Sequence, residues 1–394
     1  MPDLPSTPRI GYNAALLSYS DDYRGAGIHR YIARLLPALA ALGEYDITAF
    51  TPEPLAAERL PRAIEVRRAP AMAASPLGRI AWEQTRLPGE VRRSGARVYH
   101  GAAYAMPALC PTPAVVTVHD LSFERLPETL PLLQRRYLGL ATRLAVRRAQ
   151  ALIAVSQFTR RELVDALGAA PDRVHVVHNG IEPAFRPAPP SAQAAVRERY
   201  GLAGPFALTL GTLQPRKNLV TLMRGYAALR ARDPDTPPLA VIGGAGWGGV
   251  HPAKLADELG VGGQVRVLGF VPDDDLPALY SSCSVFAYPS LYEGFGLPVA
   301  EALACGAPTL VAAASSLPEV GGPAVVQVEP GDHEAGAAAL RNLLGDDSRR
   351  RSLRIAGPER AKRFSWERAA RETADVYGMV LSEAADMEAA RAHA

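Results

Sequence analysis

Short apolar runs rich in β-branched residues punctuate the chain: Val115-Val-Thr-Val118, Leu152-Ile-Ala-Val155, Val174-His-Val-Val177, Phe206-Ala-Leu-Thr-Leu210, Leu239-Ala-Val-Ile242, Val265-Arg-Val-Leu268 and Thr309-Leu-Val311. Between them apolar residues fall at helical spacing, as at Tyr31, Leu35, Leu36 and Leu39. Strands that lack polar alternation are covered on both faces, and strands that alternate with helices pair in parallel. The pattern predicts an α/β protein with doubly wound parallel sheets. One stretch breaks the rhythm: Glu182-Pro-Ala-Phe-Arg-Pro-Ala-Pro-Pro190 suits neither a helix interior nor a central strand. The chain is therefore expected to form two domains, 1–182 and 199–365, joined by a linker over 183–198. An alanine-rich helix over 366–394 is expected to pack back toward the first domain. Ligands of such sheets bind beyond the carboxyl ends of the strands, so two domains facing each other would enclose a cleft.

Composition narrows the partners. A net charge of +3 over 394 residues demands no polyanion, and nucleic acid is not an expected partner. Cys110, Cys283 and Cys305 are odd in number and far apart, which fits reduced, buried thiols in a cytoplasmic protein. No window reaches the roughly 18 apolar residues of a membrane span. The stretch Arg135-Arg-Tyr-Leu-Gly-Leu-Ala-Thr-Arg-Leu-Ala-Val-Arg-Arg148 mixes arginine and apolar residues at helical spacing. It reads either as a helix packed on a sheet or as a peripheral contact with the inner face of a membrane.

The candidate chemistry gathers in the second half. In Glu293-Gly-Phe-Gly-Leu-Pro-Val-Ala-Glu301, Pro298 suits the first turn of a helix that Gly306 and Pro308 end. The amides of Phe295, Gly296 and Leu297 would then lie at a helix N-terminus, a place that attracts phosphate oxygens. Glu293 and Glu301 repel phosphate, so their expected partners are hydroxyl groups, such as those of a sugar and a ribose. A second glycine-led turn, Gly211-Thr-Leu-Gln-Pro-Arg-Lys-Asn218, follows a strand and sets Arg216 and Lys217 where two cations can neutralise a diphosphate. His119 stands at the carboxyl end of a strand, where its imidazole can donate to a sugar hydroxyl. Arg24-Gly-Ala-Gly-Ile28 precedes a helix, and Gly27 there would let a ligand approach the backbone.

These motifs, with Gly269-Phe-Val-Pro-Asp-Asp-Asp-Leu276 and Thr117-Val-His-Asp-Leu-Ser-Phe123, resemble the retaining glycosyltransferases of family four. The resemblance covers almost the whole chain and is most specific in the C-terminal half. It implies the GT-B architecture of two Rossmann-like domains, and metal-independent transfer of a hexose from a nucleotide sugar with retention of configuration. By that resemblance Glu293 holds donor-sugar hydroxyls, Glu301 the ribose, Arg216 and Lys217 the diphosphate, and the backbone of Phe270 and Val271 the base. The first loop, with Gly27, approaches the donor phosphates and the acceptor. Many relatives carry arginine where this chain has Thr212, and Arg216 is the residue placed to supply that charge.

The Gly211 turn and the Thr117 segment most resemble mannosyltransferases of polysaccharide assembly, which points to GDP-mannose as donor and a saccharide or lipid-linked saccharide as acceptor. A UDP-sugar donor, a nucleotide-sugar epimerase of the same architecture, and a non-catalytic subunit are the alternatives. Two further motifs are set aside. Gly244-Ala-Gly-Trp-Gly-Gly249 matches a dinucleotide fingerprint but lacks the acidic residue that should close the next strand. Asp273-Asp-Asp275 reads as the acidic first turn of a helix rather than as a metal site.

Overall fold

The structure, a computed structural model, describes residues 7–19, 27–127, 131–211, 214–243 and 251–392. The chain forms two compact units. In the first, β1 (Arg9–Asn13), β2 (Asp46–Thr51), β3 (Ile64–Arg68), β4 (Val98–Gly101), β5 (Ala114–Val118), β6 (Ala151–Ala154) and β7 (Val174–Val176) form one parallel sheet. Its order is β3-β2-β1-β4-β5-β6-β7. In the second, β8 (Ala207–Leu210), β9 (Leu239–Ile242), β10 (Val265–Gly269), β11 (Val285–Tyr288), β12 (Thr309–Ala312) and β13 (Val325–Val328) form a sheet of order β10-β9-β8-β11-β12-β13. The order reverses between β1 and β4 in one sheet and between β8 and β11 in the other. Loops leaving those strands diverge and open a crevice at the carboxyl edge.

Every residue of β4, β5, β6, β9, β11 and β12 is buried, which is why these strands read as unbroken apolar runs. Edge strands differ, with exposed residues at Glu65 in β3 and at Arg266 and Val267 in β10. Alternate side chains of the first sheet feed separate cores: Val115 joins Ile10, Leu35 and Tyr377 on one face, and Val116 joins Trp82, Val146 and Leu163 on the other.

The chain leaves the first unit at Gly180 and returns to it at Trp366. The helix Trp366–Ala392 belongs to that unit, where Trp366, Ala370, Tyr377 and Val380 share a core with Tyr31, Leu35 and Leu39 of the helix Ile28–Leu42. Ile181 donates to the carbonyl of Phe364 at 3.1 Å, so the outgoing and returning segments pair. The segment 183–198, expected as linker, divides. Residues up to Pro189 are irregular, whereas Pro190–Arg199 is a helix within the second unit, because Pro190 occupies a first-turn position where its missing N–H costs nothing. That helix packs on Leu276–Ser282, and Arg199 and Tyr200 both bond Asp275 at 2.6–2.7 Å. The three aspartates form a short turn ahead of the helix, and among the described residues no group of three or more His, Cys, Asp or Glu side chains is arranged to hold a metal ion.

Candidate active site

The β8–β11 switch point carries a dense polar cluster. After β8 the chain reaches Gly211, and Pro215–Lys217 form a single turn ahead of the helix Leu219–Arg232. Asn218 bends the chain there at φ +55°, a left-handed conformation that asparagine tolerates, and its side chain donates to Pro289. The turn thus presses Arg216 and Lys217 against the loop that follows β11.

That loop delivers Glu293. Its Oε1 accepts from Lys217 Nζ at 2.6 Å, Tyr288 Oη at 2.9 Å and Ser290 Oγ at 2.6 Å, while Oε2 faces Arg216 at 3.1 Å. Burial alone would raise the carboxyl, but Arg216, Lys217 and the hydrogen bonds from Lys217 and Ser290 outweigh it and hold Glu293 well below the ordinary carboxylate range. Glu293 is therefore a charged acceptor. Burial, then the neighbouring Glu293, pushes the Tyr288 phenol well up, so it stays a donor. Arg216 also donates to the Tyr292 carbonyl at 2.9 Å, and the aliphatic part of Lys217 lies over Gly211, where a Cβ would meet it at 3.5 Å. A small cavity lies beside this cluster, bounded by Leu210, Gly211, Lys217, Ile242 and Tyr288.

The next residues set the helix. Gly296 takes φ +99° ahead of Leu297–Ala304, a backbone conformation that favours glycine, and a Cβ there would stand 2.8 Å from Leu317 Cδ2 and displace that methyl. Ser316 Oγ donates to the carbonyls of Glu293 and Phe295 at 2.9 and 2.7 Å, and Ser315 Oγ accepts from the Glu293 amide at 2.9 Å. These contacts fix the loop that leads into the helix, whose first amides have no partner within the helix itself. The Phe295 ring itself is core, edge-on to Phe364 at 5.4 Å, leaving only its backbone for a ligand. Glu301 is 3% exposed on the second turn, and its charge acts on Tyr288 and Cys305.

The structure thus joins Gly211, Arg216, Lys217 and Glu293 into one cluster, with Gly296, Leu297 and Glu301 on the adjoining helix. Phe270 and Val271 stand apart. They follow β10 at the sheet edge, with β9 and β8 between them and β11, about 14 Å away at 4.8 Å per strand. Val271 is buried and Phe270 is 58% exposed.

In the first unit, His119 follows β5 and is buried. Its ring lies edge-on to Tyr31 at 4.7 Å, and its Nε2 pairs with the Ala102 carbonyl at 2.9 Å. Burial lowers its pKa, so the ring is neutral, and a carbonyl partner fixes the proton on Nε2. Nδ1 is then an acceptor. Gly27 takes φ +62° immediately before the helix Ile28–Leu42. Residues 24–26, Thr212 and the 244–249 glycine stretch lie outside the described residues.

Several polar groups escaped the sequence reading. Tyr288 and Ser290 share the Tyr-Pro-Ser that ends β11 and could have been suspected from their place just ahead of Glu293. Ser315 and Ser316 follow β12 and carry no local signal. At the first unit's own switch point, the buried Glu83 accepts from Asn13 Nδ2 at 2.9 Å and Tyr137 Oη at 3.0 Å. Beneath it His100 links Thr117 to Tyr377 of the terminal helix, and Thr117 pairs with Tyr31 at 3.0 Å.

Two Rossmann-like units, one presenting a cation pair and two carboxylates at its switch point, define the GT-B class. A profile described as Glycosyl transferases group 1 matches residues 196–360, and one described as Glycosyltransferase Family 4 matches residues 25–185. The O-antigen chain mannosyltransferase B of Escherichia coli is 35% identical over 284 residues, 72% of this chain and 74% of that protein. A D-inositol 3-phosphate glycosyltransferase of Salinispora tropica is 38% identical over 256 residues, 60% of this chain and 52% of that protein. Among solved structures, a sucrose-phosphate synthase from Thermosynechococcus elongatus covers 95% of this chain and is itself covered in full, with TM-score 0.76 at 22% identity, a likeness of fold. The chain belongs to the family 4 glycosyltransferases.

Proposed function

We propose that the enzyme transfers mannose from GDP-mannose to a saccharide or lipid-linked saccharide, with retention of configuration and without a metal. The observation that carries this reading is the joint placement of Arg216, Lys217 and Glu293 at the β8–β11 switch point. Two cations there match a diphosphate, and a charged acceptor beside them matches the hydroxyls of the attached sugar. Similarity to the Escherichia coli mannosyltransferase supports the choice of mannose.

Glu293 orients the sugar, Glu301 holds the ribose, and Gly296 and Leu297 offer backbone amides to the phosphates. Phe270 and Val271 meet the base. The bond from the anomeric carbon to the phosphate oxygen breaks as a bond to the acceptor oxygen forms on the same face. The acceptor's proton passes to an oxygen of the departing diphosphate. Arg216 and Lys217 stabilise the charge developing on that diphosphate, so preorganised electrostatics is the main catalytic device. His119, neutral, accepts from a hydroxyl of the sugar through Nδ1.

A thermal-shift panel tests the donor. GDP-mannose at about 100 times its dissociation constant should stabilise the protein by about 2.7 kcal/mol. Stabilisation by UDP compounds alone would replace the donor with a UDP-sugar. Transfer that stops on chelation and returns with Mg²⁺ or Mn²⁺ would overturn metal independence. The acceptor panel should include inositol phosphate, given the Salinispora relative.

A further inference from the structure

The outer face of the helix Leu132–Arg148 carries an exposed mixture of leucine and arginine. Gly139, Ala141, Thr142, Ala145 and Val146 face inward, and Tyr137 anchors the helix by its bond to Glu83. The opposite arc presents Leu133, Arg136, Leu140, Arg143 and Arg147 at spacings of three and four residues, a stripe about 21 Å long at 1.5 Å per residue. Leu133 is 76% exposed and Leu140 70%. Arg148 donates to the Ala108 carbonyl at 2.8 Å, which ties to the helix end a loop whose Leu109 is 79% exposed.

A single exposed leucine needs no explanation, but Leu133 and Leu140 on one helix stripe, set among arginines, do. The helix contains five arginines and no carboxylate. Arg143 pairs with Glu124, whereas among the described residues Arg136 and Arg147 have no carboxylate partner. A protein face made to meet this one would need matching acids. A second copy docked on the same face would set arginine against arginine. A bilayer carrying anionic headgroups meets both requirements at once, because leucines enter the acyl boundary while arginines stay at phosphate level.

We propose that this face seats the enzyme on an anionic lipid surface. The contact is separate from the diphosphate cluster, so its failure and that of the donor assignment are distinguishable: vesicle binding is measured without nucleotide, and donor binding without vesicles.

The test is co-sedimentation of the full chain with phosphatidylcholine vesicles, with and without about one third phosphatidylglycerol. Binding should be at least about 10-fold stronger with the anionic lipid and should weaken as salt rises from 0.1 to 0.5 M. R136Q/R147Q should lose roughly 25-fold, about 5-fold per arginine, and L133S/L140S should lose as much, while both keep the wild-type melting curve and donor shift. Equal binding to the two vesicle types would overturn the proposal, as would double variants that bind like wild type. Light scattering that shows a dimer of the wild type, lost in L133S/L140S, would assign the face to a second copy instead.

Discussion

Glu293→Gln should make the protein bind nucleoside diphosphate more tightly while it loses transfer. The carboxylate holds Lys217 at 2.6 Å and Arg216 at 3.1 Å, the same two cations offered to the diphosphate. At an effective dielectric of 20 each contact is worth about 5–6 kcal/mol as a Coulomb energy, much of it offset by the cost of burying the ions. A phosphate on those cations lies about 6 Å from the carboxylate, and the repulsion at dielectrics of 20 to 40 is about 1.4–2.8 kcal/mol. Glutamine preserves shape and can still accept from Tyr288 and Ser290, but it removes that repulsion. Affinity for GDP, measured by calorimetry, should rise about 10-fold or more, while transfer falls at least about 100-fold because the sugar loses a charged acceptor. Lys217→Met should weaken GDP binding. If E293Q instead binds GDP less tightly than the wild type, Glu293 is not a competitor for the cations and the reading of the cluster fails.

Gly296→Ala should destabilise the second unit by about 1–3 kcal/mol, since φ +99° and the 2.8 Å approach to Leu317 both oppose a side chain; a wild-type urea midpoint would contradict it. Tyr288→Phe removes one donor to Glu293 and one acceptor for Lys217, which should cost about 1–2 kcal/mol in the same assay and reduce turnover. Burial, with His119 second, lowers His100 to about 3 from the ordinary histidine value of about 6.5. The unfolded chain then binds the extra proton between those values, so this contribution is complete above about pH 6.5 and fades as pH falls toward 3, at about 1.4 kcal/mol per pH unit. Urea melts of the first unit at pH 7 and pH 5 check the sign, and a pH-independent midpoint would refute it.

The interior strands were legible because both their faces are covered, so β5, β6, β8, β9 and β12 show as apolar runs. β1 was not, since Arg9-Ile-Gly-Tyr-Asn13 mixes glycine and polar residues, and β3 and β13 are edges with polar faces. The helix Pro190–Arg199 was hidden by the prolines ahead of it, although a proline at the first turn is a start signal as much as a break. The site motifs were readable as residue types at strand ends. Their pairing was not: Glu293 and Lys217 are 76 positions apart, and their contact depends on β8 and β11 being neighbours, which is a matter of strand order rather than local pattern. The His119 tautomer likewise depends on a carbonyl from another strand's loop.

The return of the chain to its first unit also sets an order of assembly. Residues 181–365 make up nearly all of their unit, which otherwise takes only Leu126–Thr129 from the earlier chain. The first unit needs Trp366, Tyr377 and Val380 to cover the face built by Ile10, Leu35 and Ile47. At roughly 5–20 residues per second, the 200 residues from Gly180 to Val380 take about 10–40 s to synthesise. For that interval the earlier-made sheet carries an uncovered apolar face at the ribosome, while the later-made unit can already close. The earlier-made unit is thus the last to be finished.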